Sequence, residues 1–259
     1  MRAEQPIVVF DSGVGGISVL RALVRELPRE RFVYFGDSAN APYGRRRTEE
    51  ICALTVENLR SLDEAWGFKA AVIACNTATS AAIGALREEY RDRPVIGIEP
   101  ALKLAADRHP GGKILVLATQ TTLREAKFDA LARRVGSSCE VWRLPCTELV
   151  EFVERGETDS PALEDFLART LAPWCDGKTD AVVLGCTHFP FAAGVMRRIL
   201  PERTELLDGS EGTARQTRRL LAQRNLLCTE GEGELILLNS SPDPGKLELC
   251  RRLLALPED

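Results

Sequence analysis

Residues 69–77, Lys69-Ala-Ala-Val-Ile-Ala-Cys75-Asn-Thr, and residues 180–188, Asp180-Ala-Val-Val-Leu-Gly-Cys186-Thr-His, follow one pattern. In each, a short unbroken apolar run leads to a cysteine and then to small hydrogen-bonding residues. A run of this length without polar alternation reads as a strand buried on both faces, the mark of a parallel sheet. The cysteine falls just past the strand's carboxyl end, where open α/β sheets build their ligand sites. A weaker echo pairs Ile7-Val-Val-Phe-Asp11-Ser12-Gly13 with Ile114-Leu-Val-Leu-Ala118-Thr119-Gln120. Two related half-units facing each other account for both echoes.

Outward from these stretches, short β-branched runs alternate with longer amphipathic ones, as βαβ units require. Strands are expected at Ile7–Phe10, Phe32–Phe35, Ala71–Ala74, Val95–Ile98, Ile114–Ala118, Glu140–Arg143, Ala181–Leu184, Glu205–Leu207 and Glu234–Leu238. Helices are expected at Gly16–Leu27, Thr48–Trp66, Thr77–Tyr90, Thr122–Val135, Thr147–Arg155, Ser160–Trp174, Phe191–Leu200 and Glu211–Arg224. Gly111-Gly112, Asp176-Gly177 and the glycine-rich stretch 231–233 mark connections.

Composition narrows the function classes. The chain has 259 residues, 44% hydrophobic and 28% charged, enough apolar content for a substantial core in one large or two ordinary α/β domains. A net charge of −4 gives no electrostatic case for nucleic acid or an anionic membrane as partner. Met1-Arg2-Ala3-Glu4-Gln5-Pro6 runs straight into the first apolar strand without the core of a signal peptide, so the expected location is cytoplasmic. The longest uncharged run, Ala70–Leu86, is short for a membrane span and carries Asn76, Thr77, Thr79 and Ser80, so it reads as a buried strand entering a helix. None of the eight cysteines belongs to a C-x-x-C pair, which argues against the common zinc and dithiol motifs.

Most cysteines in such a chain are small buried hydrophobes. Cys75 and Cys186 differ, because Asn76-Thr77 and Thr187-His188 follow them and suit ligand binding at a helix start, where a thiol pKa is lowered. Both are candidate acid–base groups. Asp11-Ser12-Gly13-Val14-Gly15-Gly16 lacks the last glycine of G-x-G-x-x-G and any following Gly-Lys-Ser/Thr, so it is not a phosphate loop. It leaves a carboxylate and a hydroxyl at a strand end, to cap a helix or to serve a substrate ammonium or a neighbouring thiol. Gly36–Gly44 reads only as a turn-rich loop. Of the two histidines, His109 looks like surface loop, while His188 is placed to poise Cys186 or to donate to a carboxylate. Glu154 has no local signal and defaults to a solvated glutamate.

Taken together, D-S-G-V-G-G, P-Y-G, A-C-N-T and G-C-T-H-F-P, in this order and at strand ends, resemble the glutamate racemase family over nearly the whole chain. The resemblance implies a reaction without pyridoxal phosphate, metal or flavin, in which two thiols act on opposite sides of the substrate α-carbon. By position these are Cys75 and Cys186, with Asp11 assisting the former and Glu154 and His188 the latter. Asp11, Ser12, Tyr43, Gly44, Asn76, Thr77, Thr187 and His188 would bind L- or D-glutamate, with Thr119 and Thr122 nearby. The implied product, D-glutamate, serves peptidoglycan synthesis. The implied fold is two pseudo-symmetric α/β lobes with mostly parallel sheets and the site in the cleft between them. Residues 1–97 with 208–259 would form the lobe of Asp11 and Cys75, and 98–207 the lobe of Cys186 and His188. Oligomeric state stays open, a homodimer included. Two departures from the family pattern are peripheral: Asp208-Gly209-Ser210 exchanges the usual Ser and Gly, and Cys146-Thr147 replaces a common Cys-Pro.

Alternatives carry fewer of these residues. An aspartate racemase shares the paired cysteines, and a decarboxylase of the same superfamily needs only one. A non-catalytic amino-acid-binding protein has no use for matched thiols. A cysteine hydrolase built on Cys186 and His188 leaves Cys75 unexplained.

Overall fold

Ile7–Asp11 is apolar up to its last residue and buried along its whole length, so it takes a place inside a sheet rather than at an edge. The computed structural model describes residues 2–124, 126–136 and 138–257. Along the chain run β1 (Ile7–Asp11), α1 (Ile17–Glu26), β2 (Arg31–Gly36), α2 (Thr48–Trp66), β3 (Ala70–Ile73), α3 (Asn76–Glu89) and β4 (Val95–Gly97). Next come α4 (Leu102–Arg108), β5 (Lys113–Ala118), α5 (Gln120–Arg124), α6 (Ala126–Val135), β6 (Glu140–Pro145) and α7 (Glu148–Glu154). The chain closes with α8 (Pro161–Leu171), β7 (Ala181–Leu184), α9 (Ala193–Ile199), β8 (Glu205–Asp208), α10 (Ser210–Gln223), β9 (Glu234–Asn239) and α11 (Pro244–Leu254).

Two compact units result, one of Met1–Glu99 with Ser210–Ala255 and one holding Pro100–Gly209. The first contains a parallel sheet in the order β4-β3-β1-β2-β9, the second a parallel sheet in the order β6-β5-β7-β8. Reversed, the second order is β8-β7-β5-β6, which repeats β4-β3-β1-β2 strand for strand. The internal echo in the sequence is therefore an echo of topology, with β3 and β7 in corresponding places.

Alternation along the strands divides each core into two layers. In the first unit Val8, Phe10, Val33 and Ile73 pack against Ile51, Leu59, Ile83 and Leu86 of α2 and α3. Ile7 and Val9 face the opposite way, on the side where α1 packs with α10 and α11. In the second unit Ile114, Val116 and Val183 meet α4 and α6, while Leu115, Leu117, Val182 and Leu184 meet α7, α8 and α9. The covered faces explain why the strands show no polar alternation.

Differences from the sequence expectations are local. The helix expected over Thr122–Val135 appears as α5 and α6, with position 125 outside the described residues. The last turn of Ser160–Trp174 tightens to a 3-10 turn at Ala172–Trp174, which contains Pro173. Phe191–Leu200 begins as a 3-10 turn over Phe189–Ala192, so α9 starts only at Ala193. Two helices lie beyond the expected set. In α4 only Leu102, Ala105 and Ala106 are buried, a short and weak period. For α11 a start signal was present, with Asp243 capping Gly245 N–H and Pro244 in the first turn.

One buried ion pair ties distant segments of the first unit together. Lys69, fully buried just before β3, sets its Nζ 2.5 Å from Glu30 Oε2 and donates to the carbonyls of Leu226, at 2.8 Å, and Ala3. Glu30 Oε1 accepts the Cys228 N–H at 2.9 Å. Removing one member of such a pair leaves a buried charge without compensation, at a cost of about 3–5 kcal/mol. Lys69→Met and Glu30→Gln are each expected to lower the urea midpoint by a corresponding amount. A midpoint within error of the parent protein in both would show that the pair does not hold these segments.

Candidate functional site

In the first unit, β1 and β3 pair with Phe10 opposite Ile73, so Ser12 and Cys75 leave the sheet at the same level. Ser12 Oγ lies 3.3 Å from Cys75 Sγ, and both residues are buried. Cys75 is the N-cap of α3, and its sulfur accepts the Ala78 N–H at 3.4 Å. A sulfur in this position faces the positive end of a long helix. Asn76 and Thr77, the first residues of α3, are buried beside it. Asn76 Oδ1 is a buried acceptor with no hydrogen-bond partner in the protein.

Asp11 is fully buried, and its Oδ1 accepts the Gly13 N–H at 2.9 Å. It does not cap α1, whose N-cap is Gly16 without a side-chain bond. Gly16 is required where it stands, since a Cβ there would lie 2.5 Å from Asp11 Cβ. Gly36 is required for the same reason, its Cβ falling 2.3 Å from Gly13 O. Tyr34 completes the loop's support by donating its hydroxyl to Gly13 O at 2.7 Å. Tyr43 is buried, with Gly44 half-buried next to it. Burial and the Asp37 carboxylate, to which the Tyr43 hydroxyl donates at 2.7 Å, push the phenol far above its ordinary range.

In the second unit, β5 and β7 repeat the register, with Leu117 opposite Leu184. Thr119 and Cys186 thus leave their strands as Ser12 and Cys75 do. The surroundings differ. Cys186 is followed by a turn and a 3-10 segment, so the helix N-terminus expected beside it is absent, because α9 begins seven positions later. Its neighbour is His188, whose Nδ1 lies 3.7 Å from Cys186 Sγ and whose Nε2 lies 2.8 Å from Glu154 Oε1. Glu154, which carries no local signal and is tied to Cys186 only by the family resemblance, is the last residue of α7 and stands half-buried in this relay. Only packing α7 against the segment after β7 brings it there, which no local pattern signals. Burial disfavours the charged imidazole, but hydrogen bonds to Cys186 and Glu154 and their charges outweigh it and hold His188 well above the usual histidine range. Thr187 is buried beside Cys186, and Thr119 and Thr122 are buried with their hydroxyls 3.0 Å apart.

Each unit therefore presents a thiol at the same topological place, with a different polar side chain beside it, Ser12 in one and His188 in the other. Cys146, at the end of β6, is a contrasting case: burial and the nearby Glu148 push its thiol up to about 12. Among the described residues no group of three or more His, Cys, Asp or Glu side chains is arranged to hold a metal ion. Asp37, read from sequence as ordinary turn, is fully buried and bonded to several side chains. Its place one residue past the end of β2, beside Asp11, was the available signal.

The model of the Asp/Glu/Hydantoin racemase family matches residues 7–217. The chain is 42% identical over 254 residues to the glutamate racemase of Clostridium botulinum, covering 98% of both chains. It is 47% identical over 261 residues to that of Bifidobacterium animalis subsp. lactis, covering 98% of this chain and 99% of the relative. Its structure is similar to that of Escherichia coli glutamate racemase in complex with L-glutamate and the activator UDP-MurNAc-ala. The TM-score is 0.85 at 34% identity, over 96% of this chain and 95% of that one.

The elevated His188 pKa gives a test. In a His109→Gln background, NMR titration of the remaining imidazole is expected to show a midpoint well above 6.5, and Glu154→Gln is expected to lower it. A raised folded-state pKa means that the stability this relay adds is fully present below about pH 6.5 and is lost as pH rises through the folded value. A midpoint at or below 6.5 in the parent protein would contradict the relay.

Proposed function

Because the chain belongs to the Asp/Glu/hydantoin racemase family and is thereby an isomerase, we propose that it interconverts L- and D-glutamate without a cofactor, using Cys75 and Cys186 as two bases. The observation that carries this reading is the repeated placement of the two thiols. Each follows the corresponding strand of a matched sheet, at the same register, and each has its own polar partner. A reaction that must run in both directions needs one acid–base group for each face of the substrate carbon, and this duplication supplies a pair.

In the forward sense a thiolate takes the α-proton and becomes a thiol, while the other thiol gives its proton to the opposite face of the carbanion and becomes a thiolate. The pair ends with protonation states exchanged, so each sulfur must regain its starting state before the next turnover in the same direction. His188 holds a proton at Nδ1 within reach of Cys186 Sγ, with Glu154 fixing the ring from Nε2. Ser12 and Asp11 are assigned the corresponding task at Cys75.

The α-proton is weakly acidic, so the carbanion needs electrostatic support. Backbone N–H groups at the start of α3 and the hydroxyls of Thr77 and Thr187 are suited to the α-carboxylate. Asn76 Oδ1, a buried acceptor, is suited to an ammonium group. Tyr43 and Gly44, with Thr119 and Thr122, complete the assigned binding set. A relative of known structure binds L-glutamate, which supports a small amino acid as the substrate here. D-glutamate for peptidoglycan, made in the cytoplasm, is the proposed role. Among the described residues no helix is long and apolar enough to cross a membrane.

Incubation with L-glutamate in D2O tests the proposal. Optical activity is expected to decay to zero with deuterium appearing at Cα, and Cys75→Ser and Cys186→Ser are each expected to slow this by about 10²–10⁴-fold or more. Exchange with L-aspartate but not glutamate would move the assignment to an aspartate racemase. Full activity in either serine variant would end the two-base reading.

A further inference from the structure

Asp37 lies just past β2 and has no part in the proton transfers above. Its carboxylate is fully buried. Oδ1 accepts from Ser240 Oγ at 2.7 Å and Asn40 Nδ2 at 3.0 Å. Oδ2 accepts from the Tyr43 hydroxyl at 2.7 Å, and from Asn58 Nδ2 and Asn40 Nδ2, each at 3.1 Å. These donors come from three separate parts of the first unit: the loop itself, α2 through Asn58, and the turn leaving β9 through Ser240. Ser240 works in both directions, since its Oγ also accepts the Ala39 N–H at 2.9 Å. The main chain is tied at the same point, with Asp37 N–H donating to Asp11 O at 2.9 Å and Ser240 N–H to Gly36 O at 3.0 Å.

A hydroxyl has one proton to give. That of Tyr43 goes to Asp37, so Tyr43 meets a ligand with its ring and main chain rather than by donating from its hydroxyl. A carboxylate taken fully out of water is retained only where hydrogen bonds replace its hydration, and here they converge on the segment bearing Tyr43 and Gly44.

We propose that Asp37 is a positioning residue that fixes the loop from Ser38 to Arg46, with Ser240 at the exit of β9 as its second anchor, so that Tyr43 and Gly44 are held ready for substrate. This rests on the assignment of Tyr43 and Gly44 to substrate binding. It gives β9 a function: the strand returns from the end of the chain to the edge of β2 and delivers the hydroxyl that braces the loop.

The test measures racemisation kinetics and amide hydrogen exchange of peptides spanning residues 38–46, on full-length protein. Asp37→Ala is expected to raise KM for both enantiomers about tenfold or more, the size expected for losing hydrogen bonds to a buried charged group, with kcat changed by less than about threefold. The loop amides should exchange faster. Asp37→Asn keeps an acceptor for Tyr43 and should recover part of the loss. Ser240→Ala should shift KM and exchange in the same direction by a smaller factor.

Parent-like KM and exchange in Asp37→Ala would overturn the proposal. So would a fall in kcat with KM unchanged, which would make Asp37 a proton-transfer group. If Asp37→Ala does not fold, parent-like values in both Asp37→Asn and Ser240→Ala overturn it instead. A parent protein that exchanges no α-proton of glutamate defeats the functional assignment alone. The exchange data then still decide, since unchanged loop protection in every variant overturns the bracing role.

Discussion

The in-register parallel pairing of β1 with β3, and of β5 with β7, is the constraint on which both candidate half-sites depend. Phe10 stands opposite Ile73 and Leu117 opposite Leu184. Each pairing is carried one residue further by a main-chain bond, Ala74 N–H to Phe10 O at 2.8 Å and Gly185 N–H to Leu117 O at 2.7 Å. Side chains alternate with a period of two, so a slip of one residue would turn each cysteine to the other side of its sheet. Burial of both faces between helical layers makes such a slip expensive, because it would carry Phe10, Ile73, Leu117 and Leu184 out of their layers.

From equal starting positions the two thiols reach different electrostatic settings. Cys75 caps a 14-residue helix and shares its surroundings with Ser12. Cys186 has no regular helix start beside it and instead adjoins a buried imidazole backed by Glu154. A helix terminus supplies a fixed partial charge that cannot move a proton, whereas an imidazole can store one. The matched topology thus supplies geometry of the same kind to both sulfurs, while the loops after each strand supply unlike chemistry. Much the same division holds around Tyr43, whose position comes from a carboxylate on the adjoining loop and from a strand near the chain's end.

What could be read without coordinates follows the range of the signals. Ala181–Leu184 and Thr48–Trp66 were bounded as observed, the first by its closed apolar run and the second because its period stops at Gly67, which takes the left-handed conformation that ends a helix. Cys75, Cys186, Asp11 and Ser12 were legible because each sits next to the apolar run that positions it. Glu154 came only from the family resemblance, since its partner His188 is 34 positions away. Asp37 was passed over because turn residues look alike until burial separates them. The helical start expected after Cys186 failed: Phe189–Ala192 takes a 3-10 turn, and α9 begins only at Ala193.

Patterns along the chain suffice for the strands, for the parallel sheets and for the places of Cys75 and Cys186 just past strand ends, because all three follow from apolar runs and their nearest neighbours. The tertiary structure alone decided that Glu154 backs His188, that Asp37 gathers donors from Tyr43, Asn58 and Ser240, and that Lys69 is neutralised by Glu30. These are pairings between polar side chains on elements distant in sequence. A polar residue carries no periodicity that announces its partner, and its role appears only once packing has removed water from around it and made a hydrogen bond necessary.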